Sequence, residues 1–95
     1  ALRETETALN NYARELDRNA RLKAARAQSA QVASETRRLY VNGKTGYLDS
    51  LDAERVLASA DTALAASDSI IVADQMALFL ALGGGWSTEA TAAPH

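Results

Sequence analysis

Residues 39–57 read LYVNGKTGYLDSLDAERVL, and this stretch decides the fold. On each side lie about forty residues of helical pattern, and the chain's first glycines are Gly43 and Gly46. Asn42-Gly43 suits a helix C-terminus, because both residue types tolerate the left-handed conformation that closes a last turn. Gly46 adds a second flexible point, and Thr45 is expected to cap the helix that follows. Asp49, Asp52 and Glu54 then occupy its opening turns, where carboxylates meet the positive end of the helix dipole. A turn this short between two long helices predicts an antiparallel hairpin.

Outward from the turn, the pattern on both sides is coiled-coil-like. In the first segment, Leu2, Leu9 and Leu16 recur every seven residues with Tyr12 between them, the expected seam. Beyond Leu16 the stripe thins to alanines, Ala20 through Ala33, with Leu22 and Val32 beside it. In the second, Leu57, Leu64, Ile71 and Leu78 keep heptad spacing, flanked by small residues such as Ala53, Ala60, Ser67 and Ala63. The expected organisation is one all-α unit over residues 1–86. It comprises a helix over about 2–42, a turn at 43–46 and a helix over about 47–82. A stop at Gly83-Gly84-Gly85, the anchor Trp86 and a disordered tail over 87–95 complete it.

Composition narrows the function classes. The apolar fraction is 47%, but much of it is alanine, which favours helix and buries little. Such a chain is strong in helix and weak in core. We therefore expect more small and apolar surface on each helix than a single partner covers, as in part of a larger bundle or wall. The opening ALRETE lacks Met and the end STEATAAPH is loose, so a piece of a longer polypeptide is expected. There is no cysteine, hence no disulfide framework or thiolate metal site. The longest unbroken apolar run, Met76 to Leu82, is far short of the roughly 20 residues of a membrane span. Basic residues gather in the first half (Arg14, Arg18, Arg21, Lys23, Arg26, Arg37 among them). Acidic residues gather in the second, where Arg55 is the one basic residue. Two helices of opposite charge attract each other side by side, which explains the asymmetry better than a nucleic-acid footprint does.

Little chemistry is offered. The only histidine is His95, no base stands beside a Ser or Thr, and the i, i+3 pair Asp49 and Asp52 is accounted for by helix capping. NGKTG lacks the glycine spacing and preceding strand of a phosphate loop, and the helices are too long for a DNA-reading helix-turn-helix. No enzyme activity, cofactor or metal is expected.

The run Tyr40-x-x-Gly43, then Tyr47-Leu48-Asp49-x-Leu51-Asp52-Ala53 and Leu57, resembles the last helical hairpin of the outer-membrane efflux protein (TolC-like) family. The ending ALFLALGGGW and the opening ALRETETALNNYARELDR resemble its lipoprotein (NodT/OprM-type) branch, which serves resistance-nodulation-division pumps in multidrug resistance. The likeness runs from about Leu2 to Trp86.

The resemblance implies a homotrimer in the full-length protein, anchored in a Gram-negative outer membrane. This hairpin would lie in its periplasmic α-barrel and would not itself touch the membrane. The implied function is transport, as the pore entrance and docking tip of a tripartite efflux channel. Its partners would be a periplasmic adaptor (membrane fusion) protein and an inner-membrane pump. Tyr40 and Thr45 would sit at the pore gate, although Thr45 stands where the family prototype has a gating arginine. Asn42, Gly43 and Lys44 would form the adaptor docking tip. Leu48, Leu51, Leu57, Leu64, Ile71 and Leu78 are assigned to hairpin packing. Tyr40 could instead close the turn by packing on Tyr47 or Leu48. Two other functions stay open: a channel for type I protein secretion, and a self-contained helical interaction or scaffold module.

Overall fold

The computed structural model describes residues 2–92, with side chains described through Gly83. Two helices account for it: α1 (Leu2–Val41) and α2 (Tyr47–Ala92). They lie antiparallel as an all-α hairpin with extents of 72 × 28 × 14 Å. A compact protein of this mass would expose about 5,300 Å², whereas this chain exposes 7116 Å². The excess follows from the composition: a single helix–helix seam covers one stripe of each helix and leaves the remainder open.

The turn is a Schellman motif. The Lys44 amide donates to the Leu39 carbonyl at 2.8 Å and the Gly43 amide to the Tyr40 carbonyl at 2.9 Å. These bonds satisfy carbonyls that the end of α1 would otherwise orphan. They require a left-handed residue between the helix and Lys44, and Gly43 supplies it at φ 72°. The other end of the turn differs by one residue from expectation. Because α2 begins at Tyr47, Gly46 takes the capping position. The Thr45 hydroxyl instead donates to the Asp49 carboxylate at 2.5 Å, tying the turn to the first turn of α2.

Two sequence expectations are corrected. Gly83-Gly84-Gly85 do not stop α2, which continues to Ala92. Each glycine costs a helix about 1 kcal/mol relative to alanine but does not forbid helical angles, and Glu89, Ala90 and Ala92 beyond them favour helix. The expected tail over 87–95 is therefore helical through Ala92, and 93–95 lie outside the described residues, as does the Trp86 side chain.

The seam of α1 is also one position away from the leucine stripe. Ala8, Tyr12, Glu15, Asn19, Leu22 and Ala33 are buried or half-buried, whereas Leu9 and Leu16 remain 47% and 44% exposed. On α2, Leu57, Leu64, Ile71 and Leu78 are half-buried, and Ser50 and Ser67 are buried. Large ridges on α2 meet small or polar residues on α1, which brings the two backbones close.

Gly43→Ala is expected to destabilise the hairpin by about 1–2 kcal/mol, the cost of a left-handed non-glycine residue. No atom lies within 4 Å of the added Cβ, so the loss would be purely conformational. Gly46→Ala, equally open and not left-handed, is expected to cost less, under about 1 kcal/mol, from the poorer N-cap that alanine makes. Urea unfolding followed by circular dichroism compares the two.

Candidate functional site: the turn, the polar ladder and the open faces

Along one edge of the seam runs a ladder of cross-helix contacts. Nearest the turn, the rings of Tyr40 and Tyr47 pair with centroids 5.6 Å apart, tilted 57°. Further along, the Arg26 Nε donates to Asp61 at 2.6 Å, and the Asn19 amide donates to Asp68 at 2.8 Å. Towards the open end, the Gln75 amide donates to the Tyr12 hydroxyl at 3.2 Å. Every pair is symmetric about the Gly43–Lys44 peptide bond, and on each helix the rungs are spaced in heptads. A slip of either helix would break all of them together. The turn and the ladder thus specify the same register.

At Asn19 the ladder reaches into the seam. The Asn19 amide also donates to the Ser67 hydroxyl at 3.1 Å, and that hydroxyl donates to the Glu15 carboxylate at 2.5 Å. Arg18 completes the chain with a 2.9 Å bond to the same carboxylate oxygen. Asn19 and Ser67 are buried, and among the described residues no buried side-chain polar atom lacks a partner. A buried asparagine in a helical seam is a known means of fixing register, since any other alignment strands its amide. The Ser67 hydrogen bond, with a lesser contribution from Arg18, holds the Glu15 carboxyl below its ordinary value against the opposing effect of burial.

The residues expected at the gate and tip are brought together at one end. Tyr40 packs on Tyr47, the turn-closing alternative raised from the sequence, and Thr45 is held by Asp49. Asn42, Gly43 and Lys44 are exposed at the extremity, with Val41 beside them. Leu48 does not pack between the helices: it is 72% exposed, because the first turn of α2 aims it away from α1, whereas Ser50 faces inward. Leu51 is half-buried beside the seam. Among the described residues no group of three or more His, Cys, Asp or Glu is placed to hold a metal ion.

The rest of the surface is unusually apolar for a stable isolated hairpin. Leu2, Leu9 and Leu16 on α1, and Ile70, Val72, Met76, Phe79, Leu80 and Leu82 on α2, are all exposed, and all lie in the half away from the turn. A shallow groove nearer the turn is lined by Val32, Thr36, Ala53 and Val56, with Asp49 and Asp52 at its rim. An 18-residue window within Tyr47–Gly83, of mean hydropathy 1.5, is also long and apolar enough to cross a membrane, although its longest unbroken apolar run is short. That property is weak ground for a span. In the hairpin, Asp68 is bonded to Asn19 of a highly charged α1, and both would have to enter the bilayer with it.

Comparison with protein families, curated proteins and solved structures returned no match.

The ladder is what sequence reasoning missed. Its signal is present: polar residues at heptad spacing (Tyr12, Asn19, Arg26, Tyr40) oppose a second such series (Tyr47, Asp61, Asp68, Gln75) at equal distances from the turn.

Two tests follow from the network. Asn19→Ala removes both bonds and is expected to cost about 1–3 kcal/mol, since Asp68 and Ser67 lose their donor. The second test is pH dependence. A carboxyl whose folded pKa is depressed stabilises the fold above its unfolded value of 4.5, and that contribution is lost as pH falls through the lower folded value. The hairpin is therefore expected to lose thermal stability on acidification below about pH 4.5. Ser67→Ala removes the largest cause of the shift, so its melting temperature should fall less steeply over that range than the parent's.

Proposed function

We propose that this hairpin is a wall segment of a TolC-like outer-membrane channel, with its turn at the periplasmic entrance of a tripartite drug-efflux assembly. The observation that carries the reading is the mismatch between length and burial. The hairpin is 72 Å long and buries one narrow seam, in which Ala33 is the single buried apolar residue among those described. Apolar and small-residue stripes stay open on both helices. Such a hairpin is suited to a wall, where each helix has neighbours on two sides. The likeness of the turn, opening and ending to the TolC-like family supplies the remainder. On this reading the segment performs no catalysis: it forms part of a passive duct, and Asn42-Gly43-Lys44 is the surface offered to the adaptor. Exposure of these residues, in a turn whose shape is held by its own backbone bonds, supports a docking role that needs no rearrangement of the hairpin.

A second reading has an observation of its own. The ladder and the buried Asn19–Ser67 pair give the hairpin an internally specified register, which favours a self-contained helical interaction module.

A Gram-negative host deleted for the gene separates the two. On the channel reading, deletion raises retention of an effluxed dye. The wild-type gene restores export, and Gly43→Trp does not, although its product reaches the outer-membrane fraction in normal amount. Unchanged dye export on deletion, with the protein in the soluble fraction, would exclude the channel.

A further inference from the structure

The ladder edge of the hairpin carries a second pattern. On α1, Leu9, Leu16, Lys23 and Arg37 each stand three residues before a rung or its heptad equivalent, so they border that edge. On α2 the edge is formed by the ladder series itself, including Glu54, Asp68 and Leu82, with Phe79 three residues before Leu82. All of these side chains are exposed. Lys23, Arg37 and Glu54 have no ion-pair partner among the described residues. The α1 side of the edge is thus leucine at the open end and basic towards the turn. The α2 side is apolar at the open end and acidic towards the turn.

These two halves are complementary under one operation. Rotate a second hairpin by 180° about an axis parallel to the helices, turn beside turn, and bring the two ladder edges together. Each α1 then faces the partner's α2 at unchanged height. Leu9 and Leu16 come level with Phe79 and Val72 of the partner copy, Val72 being exposed and three residues before Gln75, while Lys23 and Arg37 lie within about one helical turn of its Asp68 and Glu54. Every neighbouring pair of helices is antiparallel, as in a four-helix bundle. The head-to-tail two-fold sets α1 against the partner's α1 and α2 against its α2, the leucines opposite the basic half and Phe79 opposite the acidic half, and so loses both the apolar and the ionic match. A two-fold interface uses the same patch twice, and this patch is self-complementary in the parallel arrangement alone.

We propose that the ladder edge is a homotypic docking surface, through which two copies of this chain form a parallel, turn-beside-turn four-helix dimer. The dimer concerns how copies of the chain meet and does not depend on the channel reading; loss of dye export on deletion tests that reading separately.

The chain has no cysteine, so Lys44→Cys gives a unique label site at the turn. Sedimentation equilibrium over a series reaching about 1 mM is expected to show a species of twice the 10.1 kDa chain mass. In the parallel dimer, spin labels on the two copies should lie within about 30 Å, since adjacent helices pack 8–10 Å apart. A head-to-tail dimer would separate them by most of the 72 Å length. Arg37→Glu should raise the dimer dissociation constant about tenfold or more, with helicity unchanged, and adding Glu54→Arg should restore it. A monomer throughout the series overturns the proposal. So does a label separation near the full length, and so does a dimer indifferent to Arg37→Glu.

Discussion

Asn19 is buried in a seam that offers its amide two acceptors, Ser67 and Asp68, and the rest of the hairpin is arranged around meeting that demand. An asparagine removed from water without partners would cost more than this thin seam gains from several of its methyl groups. Only one alignment of α1 with α2 satisfies it. That alignment also gives Tyr12 its glutamine, Arg26 its aspartate and Tyr40 its second ring, because all four rungs share one symmetry about the turn. The Ser67 hydroxyl passes the interaction on to Glu15, so the buried polar atoms form a connected chain. Networks of this kind specify a unique pairing when every member is satisfied.

The turn enforces the same alignment from the other end. With Gly43 in the left-handed region, the chain reverses within the residues between Val41 and Tyr47. A one-residue slip would have to be absorbed there at the expense of the Leu39 and Tyr40 carbonyl bonds. Local backbone geometry and a distant side-chain network therefore agree, which is the condition for a single well-defined structure in a chain with so little core. The small core has a consequence for function. Stability comes from register and backbone geometry, so the outer faces are free to carry leucine, phenylalanine and methionine for purposes other than holding the hairpin together.

The leucine stripe of α1 illustrates how far pattern reading carries. Leu2, Leu9 and Leu16 do form a heptad, and hydrophobic periodicity alone assigns them to the seam. They border it instead, because the neighbouring heptad holds Tyr12, Asn19 and Arg26, whose polar groups have partners only on α2. On α2, Leu57, Leu64, Ile71 and Leu78 are half-buried, because the polar series Asp61, Asp68 and Gln75 stays exposed at the edge of the seam and reaches across without displacing the apolar ridge. At the turn, Gly43 was legible because left-handed geometry has a residue signature. The capping position was not, since Thr45 and Gly46 are both acceptable there, and the reach of the Thr45 hydroxyl to Asp49 decides between them.

The sequence by itself determined two long helices, the place where they reverse, the surplus of small and apolar surface, and the absence of a dense core. These depend on propensity, spacing and the conformational freedom of one glycine, all of which are local. The tertiary structure alone decided which stripe of α1 faces α2, that Leu48 points outward, and that α2 runs on through Gly83-Gly84-Gly85. The seam and the direction of Leu48 depend on which side chains find partners across the hairpin, and that becomes fixed only when residues far apart in the chain are brought to the same height. The glycines show the converse limit: a residue that permits a stop does not compel one when the residues beyond it favour helix.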